Sequence, residues 1–137
     1  MKIEYLAEGS KDCPLIRIYG GDASAFNTLK GAALGLSRGA AIRVALDEAL
    51  GFDRVNDCCL TLAVGPRDEG VCLSSPPAHF LWTLTRQKWH TVAGYIEPFT
   101  RQVDNTAYQW LCGREAREGL DVSDIGVLIS RSAIGQW

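Results

Sequence analysis

The sequence predicts one α+β domain over residues 1–137, with a mainly antiparallel sheet of about seven or eight strands and two amphipathic helices packed on it. Three observations predict this. Short β-branched and aromatic runs recur between turn-rich connections along the chain. Two stretches break that pattern with apolar residues at helical spacing, each behind a capping residue. The composition, 47% hydrophobic and 22% charged over 137 residues, suits one ordered core that needs no metal or disulfide to hold it.

The opening runs, "KIEYLAE" and "PLIRIYG", flank the turn-rich "GSKDCP" and are expected to form a hairpin in which Ile16 and Ile18 share a face. After "GGD" the period lengthens: Phe26, Leu29, Ala33 and Leu36 recur at spacings of three and four, with Asp22 as N-cap and Gly39 as stop. "AIRVAL" is expected to be a strand carrying Ile42, Val44 and Leu46 on one face, and "DEALGFDRVND" an irregular link. In "CCLTLAVG" alternation places Cys58, Leu60, Leu62 and Val64 opposite Cys59, Thr61 and Ala63. "VCLSS" follows the turn "GPRDEG". The two prolines of "SSPPA" then interrupt the chain before the aromatic strand "HFLWTL". Thr85 caps a second helix that buries Trp89, Val92, Ala93 and Ile96 and ends at Pro98. "TAYQWL" and "IGVLIS" are the last strands.

Set side by side, Asp22, Phe26 and Leu29 match Thr85, Trp89 and Val92 in spacing. The simpler reading is two ordinary amphipathic helices on one sheet; a duplicated strand-helix-strand unit is the alternative.

A net charge of −2 and scattered Lys and Arg give no general attraction to phosphate backbones or anionic lipid, so neither a nucleic acid nor a membrane partner is expected. "MKIEYLAEGSKD" lacks a basic run followed by an apolar one, and no uncharged run approaches the ~20 residues of a spanning helix. The expected location is cytoplasmic. The five cysteines, at 13, 58, 59, 72 and 112, include no Cys-x-x-Cys and are expected to be reduced thiols, with neither metal nor cofactor bound.

No constellation for catalysis is legible. His90 falls outside the apolar arc of its helix, beside Arg86 and without a bracketing carboxylate, and is expected to be solvated. Cys58 and Cys59 point to opposite faces of a strand, which defeats shared coordination of one ion. Asp22 supplies its own carboxylate to the amides of the first helix, leaving them no need of a bound anion.

Two features ask for a reason. Gly31, Gly35 and Gly39 repeat along the first helix, and Gly31 and Gly35 project away from its apolar face, where each glycine costs about 0.8 to 1 kcal/mol relative to alanine. Close approach by a second chain explains them, and so does drift in a tolerant helix. The other feature is the presence of Tyr108, Trp110, Arg131 and Trp137 in the C-terminal third, residue types enriched at interfaces, of which Trp110 is expected to pack in the core. The expected function is a non-catalytic protein-binding domain of the inhibitor, immunity or adaptor kind, with a protein partner or a homodimer contact through Gly31, Gly35, Tyr108, Arg131 and Trp137. The alternative is a small enzyme or ligand-binding domain with a pocket near His79, served by Cys59 or Cys72 or by Asp57, Asp68 and Glu69.

Overall fold

The computed structural model describes residues 1–9, 11–101, 106–112 and 125–132. The chain opens with the expected hairpin, β1 (Lys2–Leu6) antiparallel to β2 (Leu15–Tyr19). Helix α1 (Ala23–Arg38) follows. Asp22 caps it, accepting from Ala25 N at 2.8 Å, and Gly39 ends it in the left-handed region at φ 79°, where a side chain would be strained.

The next stretch departs from expectation. Strand β3 is only Arg43–Ala45, and Leu46 begins a four-residue helix, α2 (Leu46–Ala49). Ile42 therefore does not share a buried strand face with Leu46; it is 68% exposed while Leu46 is buried. The link read as irregular contains β4 (Asp53–Arg54) and a 3₁₀ turn at Val55–Asp57. Strands β5 (Cys59–Val64), β6 (Gly70–Ser75) and β7 (His79–Leu84) lead to α3 (Arg86–Ile96), which passes into a 3₁₀ turn carrying Pro98. Strands β8 (Tyr108–Cys112) and β9 (Gly126–Ser130) follow.

The fold is α+β, but the nine strands among the described residues form two mixed sheets, not one mainly antiparallel sheet. The first sheet has the order β4-β1-β2-β9-β8 and the second β3-β5-β7-β6. The sheets repeat one plan. In the first, β1 is antiparallel to β2, β2 parallel to β9, and β9 antiparallel to β8. In the second, β6 is antiparallel to β7, β7 parallel to β5, and β5 antiparallel to β3. Each half of the chain is thus hairpin, helix, hairpin, and each helix carries the chain from one sheet to the other. The spacing shared by Asp22, Phe26, Leu29 and Thr85, Trp89, Val92 belongs to this repeated topology, with β4 as the strand outside it.

The core lies where the inner faces of both sheets meet the two helices. Ile3, Ile16, Ile18, Val127 and Ile129 come from the first sheet, Leu60, Leu62, Phe80 and Trp82 from the second, and Tyr5 joins the two by packing on Phe80 with ring centroids 4.7 Å apart. All four expected apolar residues of α1, and Trp89, Val92, Ala93 and Ile96 of α3, are buried. Each large side chain so buried stabilises the fold by about 1.5 to 3 kcal/mol relative to exposure. Phe26 meets Phe99, and Trp82 meets Trp89 edge-on at 4.8 Å. Trp89 Nε1 donates to the Ala63 carbonyl at 2.8 Å, tying α3 to β5.

On the first sheet both faces of β2 and β9 are buried. Leu15, Trp110 and Leu128 form a second apolar cluster there, and Arg17 lies beside it, bonded to Glu4 at 3.0 Å and stacked on the Tyr19 ring at 3.9 Å. Edge strands are blunted: β3 and β4 are short, and β6 and β8 carry register shifts at Leu73/Ser75 and Trp110/Cys112. Short or bulged edges resist pairing with another chain. Among the described residues, no helix is long and apolar enough to cross a membrane.

Candidate functional site

Helices α1 and α3 pack side by side and antiparallel, as their contacts at each end require: Lys30 Nζ donates to Glu97 Oε2 at one end, and at the other the Arg86 guanidinium lies over Gly39. Arg86 is thus at the C-terminal end of α1, where the helix dipole favours a cation. On the outward side a cleft of about 220 Å³ opens between the helices, lined by Lys30, Leu34, His90, Ala93, Gly94 and Glu97.

The cleft exists because of what α1 and α3 place on adjoining flanks. Turning 100° per residue from the buried arc, α1 brings Lys30 and Leu34 to the side facing α3, then Gly31 and Gly35 to the outermost position. The same rotation on α3 brings Ala93, Glu97 and His90 to the facing side and Gly94 outward. A Cβ built on Gly31, Gly35 or Gly94 meets nothing within 4 Å. Crowding inside this chain therefore does not require glycine at any of the three. Gly31 and Gly94 also stand equally far from their caps, Asp22 and Thr85. The parallel between the helices, carried two residues past Leu29 and Val92, was the signal in the sequence that could have found Gly94.

Charge around the cleft is uneven. Glu97 accepts from Lys30 and, at 3.0 Å, from Arg101 Nη2. The hydrogen bond from Lys30, then its charge, then Arg101 hold the Glu97 carboxyl below the ordinary glutamate range. A carboxylate whose folded pKa is depressed contributes stability above its unfolded pKa, and loses it as the pH falls through the folded value. The ion pair is therefore fully formed at neutral pH.

The other expected site residues lie elsewhere. Tyr108, 49% exposed, sits on edge strand β8 opposite Ser130. Arg131 follows β9, donates its backbone N–H to the Ala107 carbonyl at 3.2 Å, and lies 6.0 Å from the Phe26 ring centre. These two are neighbours, but neither lines the cleft. Trp137 lies outside the described residues. Trp110 is buried and belongs to the core of the first sheet.

Near His79 the structure assembles part of what a catalytic reading needs. Cys59 is its direct cross-strand neighbour in the parallel β5/β7 register, and Cys72 lies opposite Leu81 on the same face. Cys59 is held by Arg54 Nη1 at 3.2 Å and reaches the Asp57 carbonyl at 3.6 Å, across a turn in which Asn56 and Asp57 both have positive φ. Asp68 does not join this group. Its Oδ1 accepts from Thr85 N at 2.8 Å and from Thr85 Oγ1 at 2.9 Å, and Thr85 in turn caps α3 by accepting from Lys88 N. The six-residue strand β7 separates His79 from that corner, about 16 Å at the usual rise, and Glu69, which donates its backbone N–H to Thr83, is at the same far end.

No family model, curated protein or solved structure matches the chain. What its surfaces do must follow from their residues.

The thiols differ in environment, and this sets an order of reactivity. Burial pushes the Cys58 thiol up to about 12, with smaller contributions from Cys59, Glu4 and Asp47, whereas Cys72 is exposed. Because thiolate content and access both govern alkylation, N-ethylmaleimide is expected to modify Cys72 first and Cys58 only in denaturant. Peptide mapping that finds Cys58 modified in the folded protein as fast as Cys72 would contradict this placement.

Proposed function

We propose that this chain is a non-catalytic protein-binding domain of the inhibitor, immunity or adaptor kind, working in the cytoplasm with reduced thiols, and that it takes a partner or a second copy of itself on the outward surface of α1 and α3. One observation carries the reading. Both helices place glycine at the outermost position beside an open cleft, where alanine would fit without contact and would strengthen the helix. Close approach of another backbone is a physical reason to keep glycine there.

Alanine substitution tests it. Gly31→Ala, Gly35→Ala and Gly94→Ala are each expected to stabilise the chain by up to about 1 kcal/mol in urea unfolding, and at the same time to weaken an association followed by sedimentation or by cross-linking from position 31. Stabilisation with every association unchanged would show a tolerant helix and defeat the reading.

A second reading, a small enzyme or ligand-binding domain, is favoured by the register of Cys59 with His79 and the guanidinium held against that thiol. A small-molecule ligand that protects Cys59 from alkylation, and no longer does so in His79→Ala, would favour it over the first.

A further inference from the structure

We infer that this chain binds a second copy of itself by exchanging halves: β6 to β9 with α3 of one copy dock on β1 to β5 with α1 of the other, and the reverse. The inference goes beyond the reading above, because it uses the seam inside the molecule and not the outward surface of the helices. In the first sheet the seam is the parallel pair β2/β9, from Leu15 beside Gly126 to Tyr19 beside Ser130. In the second it is the parallel pair β5/β7, from Cys59 beside His79 to Val64 beside Leu84. Between the sheets α1 lies against α3. The core is shared as well: Ile16, Phe26 and Leu62 of one half belong to the same buried cluster as Trp82, Trp89 and Ile129 of the other. Each half therefore carries the apolar faces that the other covers.

Each sheet takes one hairpin from each half, so a reciprocal swap rebuilds both sheets in two copies, under the two-fold symmetry in which closed dimers form. The halves are joined by a short link, residues 65–69. Its ends are held to β7, where Gly65 N donates to the Leu84 carbonyl and Glu69 N to the Thr83 carbonyl. Pro66 and Arg67 between them are exposed and can change direction without repacking the core. The half of a second copy needs no recognition of its own, since it carries the surfaces already matched in the closed chain. What opposes exchange is the advantage of the tethered half, an effective concentration on the order of 1 mM for a short link. The closed chain therefore dominates at micromolar concentration, and the exchanged dimer takes up about half of the chains near ~1 mM.

The test uses the full chain. Equal amounts of a ¹⁵N,²H-labelled and a ¹³C-labelled chain are unfolded together, refolded at about 1 mM, the effective concentration of the link, and followed by sedimentation velocity and isotope-filtered NMR. The expected dimer falls to under about a tenth of the chains at about 50 µM. Within it, NOEs are expected from the amides of Leu60 and Leu62 in one copy to the rings of Phe80 and Trp82, their strand neighbours, in the other. Two variants extend the test to lower concentration. Ile18→Asp in β2 and Trp82→Asp in β7 each place a charge at a buried position, so each alone is expected to lose the near-ultraviolet circular dichroism of the fold. Mixed at about 100 µM, they hold one undamaged copy of each half, which docks about tenfold less favourably than a tethered one and restores up to about half of the wild-type signal. Cross-chain NOEs or restored signal establishes exchange. Absence of both overturns it, and a dimer lacking those NOEs then belongs to another surface, so that the reading of α1 and α3 still stands.

Discussion

Trp89→Ala is expected to cost about 3 to 5 kcal/mol of folding stability, the usual range for truncating a fully buried tryptophan. Three separate contributions are lost. The indole is 0% exposed, so its removal opens a cavity between α3 and the second sheet. Its edge-on contact with Trp82 disappears, and the Ala63 carbonyl loses a donor at 2.8 Å. Trp89→Phe keeps most of the apolar body and forfeits the hydrogen bond, so its loss is expected to be about 1 to 2 kcal/mol. The adjacent His90→Ala, on the exposed flank, is expected to change stability by no more than about 0.5 kcal/mol. Urea unfolding monitored by circular dichroism measures all three. A Trp89→Ala loss under about 1 kcal/mol, or a His90→Ala loss equal to it, would place the helix on the wrong face.

The second large effect is expected at a residue with no packing role. Asp68→Ala removes one carboxylate oxygen that accepts both the backbone N–H and the hydroxyl of Thr85. Thr85 Oγ1 then lacks the partner that orients it toward Lys88 N. Bonds to a charged acceptor contribute about 1.5 to 3 kcal/mol and an N-cap typically about 1. Because both act through one network, the expected loss is about 2 to 3 kcal/mol and is not the sum. Asp68→Asn retains an acceptor and should lose roughly half as much. In a double-mutant cycle Asp68→Ala and Thr85→Ala should be strongly non-additive; additive losses would mean the two residues act separately.

The helices were legible in the sequence because four apolar residues at helical spacing, a cap and a stop agree with one another over α1, and nearly so over α3. The faces of β5 were legible for the same reason, since alternation fixes which side a residue takes. Alternation does not tell a strand its partner. The division into two sheets depends on β2 pairing with β9 and β5 with β7, and nothing local in "LIRIY" or "GVLIS" encodes that choice. The burial of Leu15, Arg17 and Tyr19 along with Ile16 and Ile18 follows from that central position. The same limit hid the cleft. His90 lacks a carboxylate within one turn of its own helix, yet Glu97, two turns on, and Lys30, from the other helix, complete its surroundings.

The exchange of strands between the halves also dictates when the molecule can form. Strand β2 leaves the hairpin β1/β2 with one side unpaired until Leu15 meets Gly126 and Tyr19 meets Ser130. Closing so long an intervening loop carries an entropic cost that must be met before those contacts reward it. High contact order of this kind slows folding to the millisecond-to-second range typical of sheet proteins with distant pairings. On a ribosome the first sheet stays incomplete until the last of its strands has emerged, although its first hairpin is among the earliest structure made. During that interval an apolar strand is open to pairing with a neighbouring nascent chain, a hazard that the short and bulged edges of the finished fold no longer present.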